Sequence, residues 1–258
     1  MKILILSPNQ IYRKNWTHQL FRNQFSKHHF VTYYGEGYPN YVPEKPVTEV
    51  IRNENFDLIV TYGLRYTEPF VGIGDITNIP KAHIAVDYFP LGGGSGTYER
   101  NHALFNRDKY DIYFGVVGHI VRNLENNGVC KKAHLLPFSI DTSIYRRTKE
   151  FEQKNIDVFS VFTTRNDVYP NRELIHKMLT NLRDLKCFIK RTQHEKYVDK
   201  INSSKICITS NNKFKSLSIK YYEILSCGSF LLADEPEDLL ELGFIPDKHL
   251  VIYKDLND

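Results

Sequence analysis

The chain is 258 residues long, 25% charged and 41% apolar, which excludes a disordered tail, a fibrous repeat and any apolar run long enough to span a bilayer. Its net charge of +4 tilts it towards anionic partners. Its four cysteines, Cys130, Cys187, Cys207 and Cys227, form no CxxC pair, which excludes a zinc ribbon or disulfide framework and points to reduced thiols in a cytoplasmic protein.

Apolar runs and amphipathic stretches alternate from the first residue onward, the pattern of βα units on a parallel sheet. Residues 2–6 read as a first buried strand, too short an apolar run before Ser7-Pro8 to be a signal peptide. Further strands are expected at 30–34, 57–61, 83–86, 112–117 and 134–136. Helices are expected at 12–27, 46–53 and 118–126, the last stopped by Gly128. These units predict one doubly wound domain over residues 1–140. A stretch of linker composition follows at 141–155. A second series then begins, with strands at 156–163, 186–190, 206–209, 229–233 and 249–253 and helices at 172–183, 194–203, 216–226 and 237–242. The second domain is therefore expected over 156–258. Ligands of such sheets bind beyond the carboxyl ends of the strands, so the active site is expected in a cleft between two α/β domains. The chain stops soon after a strand, where an α/β fold would want another crossover helix, so the native protein is expected to continue past Asp258.

In the first half the sharpest feature is His83-Ile-Ala-Val-Asp87-Tyr-Phe-Pro-Leu-Gly-Gly93-Gly94-Ser-Gly. Asp87 falls at a strand's carboxyl end, where it could be the general base for an acceptor hydroxyl or simply cap a turn. The N–H groups around Gly93 and Gly94 could meet a phosphate or sugar oxygen, or the glycines could merely permit positive φ. The loop is neither a P-loop nor a GxGxxG fingerprint. His119, after the strand at 112–117, is an alternative base or an ordinary helix-start residue. His28, His29 and His176 have no partner at metal-ligand spacing and read as surface residues. Lys190, after the strand at 186–190, is either a donor-site cation or a solvated strand end.

The most informative segment is Lys220-Tyr-Tyr-Glu223-Ile-Leu-Ser-Cys227-Gly228, followed by an apolar strand that finishes at Asp234. A carboxylate in so apolar a helix needs a partner if buried, and a sugar or ribose diol would be one. This stretch resembles the (R/K)-x-x-E-(A/I)-(L/M)-(A/S)-C-G segment of GT-B glycosyltransferases, in particular the family-4-like group that includes CgeB-type proteins. The resemblance also covers Leu136-Pro-Phe-Ser-Ile-Asp141-Thr-Ser-Ile-Tyr145, similar to an interdomain PxGvDxxxF segment. A third match is the run from Phe162-Thr-Thr-Arg165 to Tyr169-Pro-Asn-Arg172. The resemblance implies two Rossmann-type domains facing a cleft and a nucleotide-sugar donor bound to 156–254, with Glu223 holding the ribose hydroxyls and Lys220 among the donor-binding residues. Arg165 and Arg172 would face the pyrophosphate, where guanidinium forks and a helix N-terminus suit phosphate oxygens. Where many members of the group have a glutamate eight positions before the last one, this chain has Lys215.

The sequence has no Asp-x-Asp, which agrees with a metal-independent GT-B reaction with no cofactor rather than a metal-dependent one. A glycosyltransferase is the leading expectation, with Asp87 or His119 catalytic. A sugar-nucleotide epimerase and a non-catalytic sugar or nucleic-acid binding module are the alternatives. The acceptor stays open between polymer, lipid-linked sugar, protein and DNA.

Overall fold

A computed structural model describes residues 1–9, 16–63, 70–86, 103, 105–160, 162, 169–190 and 192–255. The chain divides into two compact units, Met1–Pro137 and Phe138–Asp258.

In the first unit β1 (Lys2–Leu6), β2 (Phe30–Tyr34), β3 (Leu58–Tyr62), β4 (Lys81–Ala85), β5 (Ile112–Gly115) and β6 (Ala133–Leu135) form one sheet. All its pairings are parallel, in the order β2-β1-β3-β4-β5-β6. Between the strands run α1 (Trp16–His28), α2 (Val47–Val50) and α3 (Gly118–Asn126). Ile3, Leu4, Ile5 and Leu6 are all buried, the continuous apolar run of a strand covered on both faces. A Cβ at Gly115 would meet the backbone nitrogen of Val121 at 2.9 Å, so the glycine lets α3 close directly onto the end of β5.

The second unit repeats the architecture with β7 (Ile156–Ser160), α4 (Arg172–Asn181), β8 (Cys187–Phe188), α5 (His194–Asn202), β9 (Ser204–Thr209), α6 (Lys220–Ser226), β10 (Phe230–Ala233) and β11 (Val251–Ile252). Its sheet, also parallel, has the order β11-β10-β9-β7-β8. Val158, Phe162, Ile175, Leu179, Ile208 and Tyr253 make a core that packs α4 against β7 and β9.

Three expected elements differ. The stretch 46–53 yields only the single helical turn of α2. Residues 237–242 form turns closed by bonds from Leu242 N to Asp238 O and from Phe244 N to Leu239 O. Pro236 before them and Gly243, at φ +84°, leave too few residues to repay helix nucleation. The helix expected from 216 starts only at Lys220, because the Asn212 side chain accepts the N–H groups of Phe214 and Ser216 and holds the chain in a turn.

The charged stretch 141–155 is part of the second unit. Tyr145 is buried, and its carbonyl accepts the Ser226 hydroxyl. Thr148 N donates to Asn202 Oδ1, and Lys149 Nζ reaches Asp199 and Ser203. Lys154, buried, donates to Asn202 O and Ser229 Oγ at 2.9 Å each. A composition that reads as solvated linker thus finds its polar partners on α5 and the strand ends.

Candidate functional site

The second sheet reverses its winding between β7 and β9: β8 lies on one side of β7, while β9, β10 and β11 follow on the other. The crevice at such a reversal, beyond the carboxyl ends of the strands, is where open α/β sheets bind ligands. The residues that gather there come from the ends of β7, β9, β10 and β11 and from the start of α4.

Arg172 opens α4 and is 5% exposed. Its Nη2 and Nε donate to the Ser210 carbonyl at 2.8 and 3.3 Å, so the side chain bridges from the element after β7 to the loop after β9. Its guanidinium lies 3.3 Å from the Tyr169 ring centroid and 5.0 Å from that of Phe162. Burial lowers its pKa from the usual value, and the faces of two rings with a carbonyl offset that cost. Asp234, the residue after β10, accepts Asn211 N at 2.7 Å and the Ser210 hydroxyl at 3.1 Å. Burial raises its pKa against these bonds. Tyr221 donates to Asp234 O at 2.6 Å and Tyr253 to Thr209 O at 3.1 Å. The loop after β9 is therefore fixed from α4, α6, β10 and β11 at once.

Ser160, the last residue of β7, shares a 2.5 Å hydrogen bond with His176 Nε2, and the His176 ring stacks on Phe162 at 4.9 Å. His176 was expected at the surface; it is half-buried, because α4 turns this position towards β7. Desolvation and the nearby Arg172 charge lower its pKa. Among the described residues, the buried hydroxyls of Thr192, Thr209, Ser218 and Tyr222 have no protein partner. Thr209 ends β9, Thr192 follows β8 and Ser218 precedes α6, so three of these four lie in the carboxyl-edge segments. Buried polar groups are almost always bonded, and orphans concentrated at one edge mark a place where a polar ligand would supply the missing partners.

Glu223 is completely buried on α6. Its Oε2 accepts the Tyr197 hydroxyl at 2.7 Å and Lys220 Nζ at 3.0 Å, and the Lys220 ammonium sits 4.5 Å from the Tyr197 ring centroid. The partner that a buried carboxylate needs is thus present within the protein, joining α5 to α6. Burial and the Glu223 charge push the Tyr197 phenol well above its ordinary range. Lys190 is exposed just past β8, on the sheet's edge strand. His119 is buried in the first turn of α3, at the carboxyl end of β5. Asp87, Gly93, Gly94 and Arg165 lie outside the described residues. The structure brings Arg172 together with Asp234 and Tyr169, which the motifs contained without a role, and with Ser210, Asn211, Tyr253 and His176, which they did not contain. The signal that finds most of them is their place at or just past strand ends. Among the described residues no three His, Cys, Asp or Glu side chains gather as metal ligands would.

Residues 149–258 match the family described as glycosyl transferase-like. No curated protein matches the sequence. Among solved structures, HepE of Anabaena, in complex with UDP and glucose, is similar with a TM-score of 0.63 at 14% identity, over 99% of this chain and 86% of that one. Sucrose-phosphate synthase from Thermosynechococcus elongatus is similar with a TM-score of 0.58 at 14% identity, over 100% of this chain and 87% of that one. A glycosyltransferase from Rickettsia africae gives 0.58 at 14%, over 93% and 80%. The fold is that of the GT-B glycosyltransferases, and residues 149–258 are a glycosyl transferase-like domain. None of these likenesses singles out the CgeB-type group.

Proposed function

We propose that the chain is a glycosyltransferase that takes its sugar from a nucleotide-sugar bound at the carboxyl edge of the second sheet. The observation that carries this reading is the convergence of the buried Arg172, the braced loop 209–211 and the unpartnered hydroxyls of Thr209 and Ser218 at the β7/β9 reversal. The glycosyl transferase-like match spans this unit, and HepE, of similar fold, was solved with UDP and glucose.

On this reading the chemistry rests on the leaving group. As the bond from sugar to diphosphate breaks, negative charge collects on the phosphate oxygens, and a cation fixed in a poorly hydrated site acts more strongly on that state than on the ground state. Arg172 is such a cation, held by Ser210 O and the Tyr169 ring so that it need not reorganise. Arg165 would add a second and Lys190 a third at the rim, while Lys220, anchored by Glu223, would lie near the ribose. The acceptor would sit on the first unit, with Asp87 as base, His119 as the alternative and the Gly93-Gly94 amides on its oxygens. Protein cations, not a metal ion, would carry the leaving-group charge, since the sequence has no Asp-x-Asp. The four cysteines are free, which suits a reducing cytoplasm.

The test is calorimetric titration with UDP-, GDP-, ADP- and dTDP-sugars, followed by assay of nucleotide release with and without chelator. Saturable binding of one nucleotide class with chelator-resistant turnover is expected. Binding without turnover of any donor would leave a sugar-nucleotide binding module. Asp87→Asn, which keeps shape but cannot accept a proton, is expected to lower transfer by about 10² with donor affinity retained; a near-normal rate would remove Asp87 as the base.

A further inference from the structure

Arg172, Ile175, His176 and Leu179 are spaced three and four positions apart, so one face of α4 carries all four towards the sheet. Ile175 and Leu179 fill the core, at 2% and 7% exposure. His176 makes contacts that an apolar residue in its place would not. Its Nε2 shares the 2.5 Å hydrogen bond with Ser160 Oγ, on a serine that is itself buried. Its ring lies 4.9 Å from the Phe162 ring at an interplanar angle of 11°. The same Phe162 centroid is 5.0 Å from the Arg172 guanidinium carbon, whose other ring neighbour is Tyr169.

Two side chains of α4 thus share one aromatic ring. The last residue of β7 fixes the imidazole, the imidazole fixes the plane of Phe162, and Phe162 is one wall of the place where the guanidinium lies. We propose that His176 is a positioning residue for Arg172: bonded to Ser160 and stacked on Phe162, its imidazole holds the ring against which the guanidinium is set. The group that Arg172 then serves, a departing diphosphate, rests on the donor reading above. A cation that stabilises a transition state must be held to a fraction of an ångström by its neighbours, and Ser210 O and Tyr169 alone leave the Phe162 side of Arg172 unsupported.

The charges around His176 decide which form of the imidazole does this. On α4, Glu173 and Lys177 are exposed and paired with each other at 3.1 Å. β7 offers the neutral Ser160, β8 the Cys187 thiol, whose pKa burial raises, and the end of β11 Tyr253, whose hydroxyl is engaged by Thr209 O. The charge that bears on His176 is that of Arg172, and with desolvation it lowers the imidazole pKa. The ring is therefore neutral at pH 7, and an imidazolium formed in acid stands against the guanidinium and loosens it.

The experiment follows the Arg172 Nε–H proton of the full chain by NMR, identified by its loss in Arg172→Lys. In His176→Ala its resonance should move towards that of an exposed arginine, and its exchange with water should quicken by about tenfold. His176→Phe keeps a flat ring on Phe162 but takes no proton, so the resonance should stay near its wild-type position. On acidification the wild-type resonance should shift with a midpoint below about pH 6.5, and that of His176→Phe should not. With a sugar-nucleotide donor, His176→Ala should lower kcat by about tenfold at nearly constant donor KM. His176→Phe should recover most of that loss and lack the fall of kcat in acid. An unmoved resonance in His176→Ala overturns the proposal, as does one that follows pH alike in wild type and His176→Phe. Should His176→Ala not fold, the two titrations still decide. An absence of turnover in the wild type counts against the transferase reading, and the resonance then decides on His176 by itself.

Discussion

Both sheets begin in the same way: the second strand lies outside the first, and the third starts the run on the other side. In both an arginine from the first helix reaches the carboxyl edge beside a tyrosine, yet the two arginines do opposite things. Arg22, on α1, is 0% exposed and donates at 2.6 Å to both Ser7 Oγ and Pro8 O, the residues that directly follow β1. Its edge is further filled by backbone, since a Cβ at Gly35, at φ +154°, would fall 2.3 Å from Ser7 O. Arg172 instead spans the reversal, from the start of α4 to Ser210 after β9, in an edge that keeps unpartnered hydroxyls. The same device fills one edge from within a single strand end and ties two strand ends together at the other, and on the proposed reading only the second is a binding edge.

The largest effect should come from breaking the closed edge. Arg22→Met leaves Ser7 Oγ and Pro8 O without their donor and should cost about 3 kcal/mol of stability, read from urea unfolding followed by Trp16, the single tryptophan. Donor affinity in the folded variant should not change. Were affinity lost instead, the first edge would be a ligand site and the contrast between the units would fail.

Arg172→Ala should act in the other sense, lowering kcat by about 10² with a smaller rise in donor KM, because the charge it faces grows towards the transition state. Unaltered kinetic constants in a folded variant would make Arg172 another closing arginine like Arg22.

Acid should separate the units as well. His83, inside β4, is fully buried, meets Thr61 Oγ1 at 2.6 Å, and has its pKa pushed down to about 3 by desolvation. The unfolded chain protonates this histidine near pH 6.5. Between those values the unfolded state binds the extra proton, so the stability is complete above about pH 6.5 and falls as the pH is lowered towards 3. The loss should reach about 2 kcal/mol at pH 5, measured as the Trp16 urea midpoint against pH. A His83→Gln variant should flatten that slope; if the slope persists, other groups carry it.

The smallest effect concerns Glu223. Glu223→Gln keeps an acceptor for Tyr197 and loses the charge that holds Lys220, so stability should fall by about 1 kcal/mol with donor affinity nearly unchanged. A tenfold loss of affinity at wild-type stability would instead put the carboxylate on the ribose.

Much of the fold could be read from the sequence, because parallel strands buried on both faces are continuous apolar runs. Residues 2–6 and 30–34 are strands and 118–126 is a helix at the bounds their patterns predict. The segments that differ are those where a local signal lost to a non-local one: 237–242, hemmed in by Pro236 and Gly243, and 141–155, whose charged side chains bond to α5. Of the candidate site, the sequence pointed to Arg172, near the start of a helix after a strand, and to Glu223 as a carboxylate that needs a partner if buried. It could not give the carboxylate's partners, since Tyr197 lies 26 positions away, nor the role of His176, which depends on which side of α4 meets β7. Element type follows from the spacing of apolar residues along the chain, which the sequence determines by itself. Whether a buried charge is satisfied by the protein or waits for a ligand depends on hydrogen-bond partners brought together only by the order of the strands, and that the tertiary structure alone decided.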